Sequence, residues 1–139
     1  MVNQEIVAAK MANIKNNINR LKEKQGVRLE AFLKDRDIQD IVLLNLQSAI
    51  QGCIDIASHI ISDNAWGVPG SMAGLFDILC DKKAITDRTR KIMRSMVGFR
   101  NLIVHEYAAL DMDKVHNVFS EHLDDFNLFL KEIAIYAKL

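Results

Sequence analysis

Proline and glycine are scarce: Pro69 is the only proline in 139 residues, and six positions are glycine. About half of the residues are apolar. This composition leaves no low-complexity tract or linker and points to one compact domain over residues 1–139, without a second. A chain of this length buries roughly two thirds of the surface it exposes when unfolded, so its core needs neither disulfide nor metal. Cysteine is equally sparse. Cys53 and Cys80 are the only two and form no CxxC pair, which excludes a disulfide-stapled scaffold and a zinc ribbon and points to a reducing, cytoplasmic setting. No N-terminal stretch combines a basic start, an apolar run and a small-residue cleavage site, so no export signal is expected. The longest apolar region, Ile38 to Ile61, is interrupted by Asp40, Asn45, Gln47, Gln51, Asp55 and His59, too closely for a membrane span. No segment alternates as a half-buried strand does, and no internal repeat is present. Eighteen basic and eighteen acidic side chains leave no net charge, so bulk charge names no partner.

The charges are nevertheless segregated. Residues 1–36 carry +4, 37–80 carry −5, 81–100 carry +5 and 101–132 carry −5. Such blocks arise as solvated helix faces, and the +5 block gains meaning only beside a site. The apolar spacing is helical. Val7, Met11, Ile14, Ile18 and Leu21 form one stripe of a first helix that stops near Gly26. After Asp35-Arg36-Asp37, suited to an N-terminal cap, a helix of about six turns runs to Ile61. Its two stripes, Val42-Leu46-Ala49-Cys53-Ile56-Ile60 and Leu43-Ile50-Ile54-Ile61, predict burial on more than one side. A turn-forming stretch, residues 62–70, holds the proline. A short helix over Ser71 to about Cys80 buries Met72, Leu75, Phe76 and Leu79. Thr86 caps a fourth helix to about Tyr107, with Asp87 in its first turn. A last helix starts at Asp111 or Asp113 and carries the stripe Val115, Phe119, His122, Phe126, Phe129, Ile133 and Tyr136. The expected architecture is an all-α antiparallel bundle of four main helices plus one short one.

The fourth helix carries the chemistry. Met93, Val97, Arg100, Val104 and Tyr107 share one stripe, so an arginine interrupts an apolar line and needs a partner or a wet cleft. The adjacent stripe, Arg94, Gly98, Asn101 and His105, is polar. Gly98 weakens the helix but removes a side chain beside these polar groups, so another molecule can approach closely. A phosphodiester in RNA can be cut without metal when one group takes the 2′-hydroxyl proton and a cation steadies the phosphoryl oxygens. Histidine suits the first task and arginine the second. Five residues along an ideal helix turn through roughly 140°, so Arg100 and His105 do not project side by side. The arginine bends round, the helix deforms, or two copies of the chain share the site; in the last case twofold-related helices each supply one Arg and one His to a single groove.

The octet Arg100-Asn101-Leu102-Ile103-Val104-His105-Glu106-Tyr107 resembles the signature of the HEPN superfamily, and more narrowly its HepT branch, in which a Tyr follows one residue after the His. Residues 50–60, with Asp55 and His59, resemble that branch's second-helix segment. The resemblance covers roughly residues 36–130. It implies a helical homodimer acting as a metal-independent endoribonuclease, the toxin of a toxin–antitoxin pair whose antitoxin is an MNT-type nucleotidyltransferase. Carried over, Arg100 stabilises the phosphate, His105 is the acid/base, Asn101 positions substrate, and Tyr107 receives AMP groups that add charge and bulk beside the RNA path.

Within the basic block Lys82, Lys83, Arg88, Arg90, Lys91, Arg94 and Arg100, Arg94 is the favoured RNA contact. His59 is read as a satisfied structural histidine, His122 as a core or interface one, and His116 as exposed. None makes metal-ligand spacing with a third candidate, so no metal is assigned, and no cofactor. The helical aromatics are core rather than base-stacking, and Trp66 covers the end of the bundle or meets the antitoxin. The competing reading is a non-catalytic helical subunit that binds a nucleotide or docks a nucleotidyltransferase through the same Arg, Asn and His.

Overall fold

The computed structural model describes residues 2–139. In chain order it contains α1 (Gln4–Lys24), α2 (Leu29–Lys34), α3 (Arg36–Asp63), α4 (Met72–Asp81), α5 (Asp87–His105), a 3-10 turn (Tyr107–Ala109), α6 (Met112–Glu121) and α7 (Leu123–Ala137), with no strand among the described residues. Short polar side chains start five of these helices. Asn3, Asp35, Ser71, Thr86 and Asp111 each accept a backbone N–H from the first turn, satisfying donors that a helix start leaves orphaned.

Helix α3 is central, packing against α1, α2, α4, α5 and α6. Both of its apolar stripes are buried, as two-sided burial requires. It is long and apolar enough to cross a membrane by length and composition, but more than half of its apolar window is buried inside the bundle. Gly52 leaves room for α1 to pack on α3: a Cβ there would stand 2.6 Å from Ile14 Cγ1. The stripe of α1 (Val7, Met11, Ile14, Ile18, Leu21) lies wholly in the core.

Several expectations need correction. A further helix, α2, follows the first and buries Phe32. The last helix is two: at His122 the backbone leaves helical geometry (φ −121°, ψ 13°), ending α6 and starting α7. His122 is therefore no core residue. Its side chain is 49% exposed and its Nδ1 lies 3.2 Å from Asp125 Oδ2. His116 is half-buried rather than exposed, with Nε2 2.9 Å from the Val27 carbonyl and its ring against Phe32 and Phe119. Met72, expected inside, is the first residue of α4 and is exposed. Helix α5 stops at His105, so Tyr107 lies beyond its apolar stripe, and both Tyr107 and Val104, in the last turn of α5, are exposed. Trp66 packs on Tyr136, ring centroids 5.8 Å apart, with the Lys82 ammonium over its indole, so it covers the bundle's end.

Candidate active site at the end of helix α5

The N-terminus of α5 is anchored to α7. Glu132 accepts from the Thr86 amide at 2.6 Å and from the hydroxyls of Thr86 and the fully buried Thr89. A carboxylate there also faces the positive end of the helix dipole. One turn on, Asp77 of α4 receives Arg90 Nη1 at 3.1 Å and Arg94 Nη1 at 2.6 Å. Asp87 binds Arg90 at 2.7 Å and Lys91 at 3.2 Å. Hydrogen bonds from Arg90 and Lys91 hold the Asp87 carboxyl below its ordinary range, and those to Asp87 and Asp77 raise the Arg90 guanidinium. Three members of the basic block, Arg90, Lys91 and Arg94, are thus ion-paired within the bundle, and Arg94 already gives one donor to Asp77.

Further along, Arg100 is half-buried. Its Nη1 donates to Asn101 Oδ1 at 3.1 Å, while its Nε is buried and finds no acceptor among the described residues. Asn101 is exposed. His105 is exposed and makes no hydrogen bond or ion pair among the described residues. No hydrogen bond joins Arg100 to His105 within the chain, as their angular separation on the helix anticipates. After His105 the Glu106 amide closes on the Leu102 carbonyl at 2.9 Å, and the chain turns into the 3-10 segment bearing Tyr107.

Tyr107 is 47% exposed, and its hydroxyl donates to Asp40 Oδ1 at 2.7 Å. That hydrogen bond first, then desolvation and the carboxylate's charge, raises the phenol above its ordinary value, against a smaller lowering by Arg36. Both residues line a cleft of about 480 Å³ between the start of α3 and the 3-10 turn, which also takes in Lys34, Arg36 and Gln39.

The model of the ribonuclease HepT-like family matches residues 14–133. The mRNA nuclease HepT of Shewanella oneidensis is 38% identical over 129 residues, covering 93% of this chain and 96% of that protein. The chain belongs to the HepT-like ribonuclease family. A second HepT, the tRNA nuclease of Aphanizomenon flos-aquae, is 28% identical over 131 residues, covering 94% of this chain and 89% of that one. The solved structure of the tri-AMPylated Shewanella oneidensis HEPN toxin in complex with MNT antitoxin matches this HepT-like chain with a TM-score of 0.86 at 36% identity, covering 96% of this chain and 99% of that one.

In this HepT-like chain α5 gathers Arg94, Arg100, Asn101 and His105 on one helix, whereas Tyr107 stands apart on the following turn. His59 Nε2 lies 3.1 Å from Asp63 Oδ2 but makes no hydrogen bond among the described residues, so it is not the satisfied histidine expected, while Asp55 accepts from Gln51 at 2.9 Å. Sequence reasoning missed Asp40, the partner of Tyr107, and Asp77, the partner of Arg94. Each lies on another helix, and no spacing signal links residues across such a gap.

Proposed function

We propose that this HepT-like ribonuclease is the toxin of a toxin–antitoxin module. In this reading it is a single-domain, cytoplasmic, metal-independent endoribonuclease, silenced when an MNT-type nucleotidyltransferase antitoxin transfers AMP to Tyr107. His105 takes the proton of a ribose 2′-hydroxyl as that oxygen attacks phosphorus and the bond to the 5′-oxygen breaks. Arg100 neutralises the charge that builds on the phosphoryl oxygens. Asn101 and the donors of Arg94 beyond the one engaged by Asp77 hold the flanking backbone. The carrying observation is the state of the motif in one protomer: half-buried Arg100 commits only its Nη1, to Asn101, and the exposed His105 ring has no partner among the described residues. A phosphate oxygen suits the first and a ribose hydroxyl the second. Because the two side chains leave the helix in different directions, a homodimer that joins two copies of α5 in one groove completes the site.

The relatives support RNA as the substrate class: one is an mRNA nuclease and another a tRNA nuclease. The tri-AMPylated HEPN toxin seen with its MNT antitoxin supports the partner and the modification. Incubation of the purified chain with total RNA in EDTA tests the activity. Cleavage that falls at least about 100-fold in His105→Ala is expected, as for loss of a general base; equal background in both proteins indicates a binding module instead. Co-expression with the adjacent nucleotidyltransferase tests the modification: mass in multiples of AMP is expected on the native chain and none on Tyr107→Phe. Addition that persists in Tyr107→Phe contradicts that assignment.

A further inference from the structure

In AMP transfer to Tyr107 the phenol gives up its proton, and within the chain Tyr107 already has an acceptor in place. Its hydroxyl points at Asp40 Oδ1, 2.7 Å away, across 67 residues of sequence. Both groups are exposed on the wall of an open cleft. A buried structural tyrosine–carboxylate bond leaves no room for a second reactant; this one leaves the phenol oxygen accessible. The cleft also carries Lys34 and Arg36, neither in an ion pair among the described residues. The phosphates of an incoming nucleotide therefore meet positive charge beside the nucleophile.

We propose that Asp40 is the general base of Tyr107 modification, so that the toxin supplies part of the catalytic machinery for its own silencing. This rests on the reading of Tyr107 as the acceptor. As the phenol oxygen bonds to the α-phosphorus of ATP, the α–β phosphoanhydride bond breaks and pyrophosphate leaves. The hydroxyl proton passes to Asp40 and then to water. A phenol whose ordinary value is about 10 is protonated near neutral pH, and the hydrogen bond to Asp40 raises it further, so the proton has to leave during attack rather than before it. The same bond fixes the phenol oxygen's direction, and the carboxylate that restrains early ionisation receives the proton as the bond to phosphorus forms. Once AMP is attached the oxygen has no proton to donate, so the tie between the 3-10 turn and α3 is lost.

The test uses the full-length chain with its nucleotidyltransferase, magnesium and ATP, following AMP addition by intact mass. Asp40→Asn keeps an oxygen to accept the hydroxyl's hydrogen bond but cannot take its proton. Expected is a fall in transfer rate of about 10²-fold or more at pH 7. Above that, the ratio of native to variant rate shrinks by about tenfold per pH unit as the variant's phenol begins to ionise unaided, approaching its ordinary value of about 10. Taking the ratio cancels every titration the two proteins share. A ratio that is large but constant with pH assigns Asp40 to positioning alone and overturns the proposal, as do equal rates in a variant with the native helical spectrum. Native chain left unmodified by the same mixture overturns the Tyr107 reading itself, which separates the two failures.

Discussion

Tyr107 and Asp40 make a contact whose electrostatics can be read in solution. The carboxylate raises the phenol's ionisation above its ordinary value, so the folded chain holds this proton more tightly than the unfolded chain does. Its stabilising contribution is complete below about pH 10 and disappears as pH rises through the raised value. Tyr136 is the only other tyrosine, so the ultraviolet difference between the native chain and Tyr107→Phe isolates one phenol. Expected is a midpoint above 10 that moves down in Asp40→Asn; an unmoved midpoint removes Asp40 from the phenol's surroundings. Arg100, Asn101, His105 and Tyr107 were all visible in the sequence because they share eight consecutive positions. Their partners were not. Asp40, which meets Tyr107, and Asp77, which meets Arg94 before the motif, come into place only through the packing of α3 and α4 on α5, and His116 was misread because its acceptor, the Val27 carbonyl, lies 89 residues away.

Helical elements were legible wherever one apolar stripe persisted, as in α1 and α3. The same logic concealed the break at His122. Val115 and Phe119 of α6 and Phe126, Phe129 and Ile133 of α7 face one core, so the periodicity runs through a joint that the backbone does not. The remaining local signal is Asp124 and Asp125, acids in the first turn of α7 where a helix start favours them. Helix α2 escaped notice because six residues with one buried side chain make no stripe. Two glycines separate packing from access. At Gly52 a Cβ collides with Ile14, whereas at Gly98 none would meet an atom within 4 Å. In urea denaturation Gly52→Ala is expected to lose about 1–3 kcal/mol through overpacking. Gly98→Ala is expected to gain about 0.5–1 kcal/mol from helix propensity, yet to cleave RNA more slowly, because the added methyl obstructs whatever approaches α5 there. A stabilised Gly98→Ala with unchanged cleavage shows that nothing comes close to that face.

At the scale of the whole molecule, α5 is held at its start and open at its end. Glu132 on α7 and Asp77 on α4 anchor its first turns, while Asn101 and His105 face outward with Val104, and Leu44 of α3 is 65% exposed. One protomer thus presents an arginine and a histidine without joining them, and in the proposed homodimer a second copy supplies what each lacks. Mixing two inactive chains tests this most directly. Arg100→Ala and His105→Ala, each silent alone, are co-refolded and given RNA in EDTA. Cleavage returning in the mixture is the expected result, since a mixed dimer sets the Arg100 of one chain against the His105 of the other. A mixture in which dimers form and exchange yet remain as silent as its parents contradicts the shared groove.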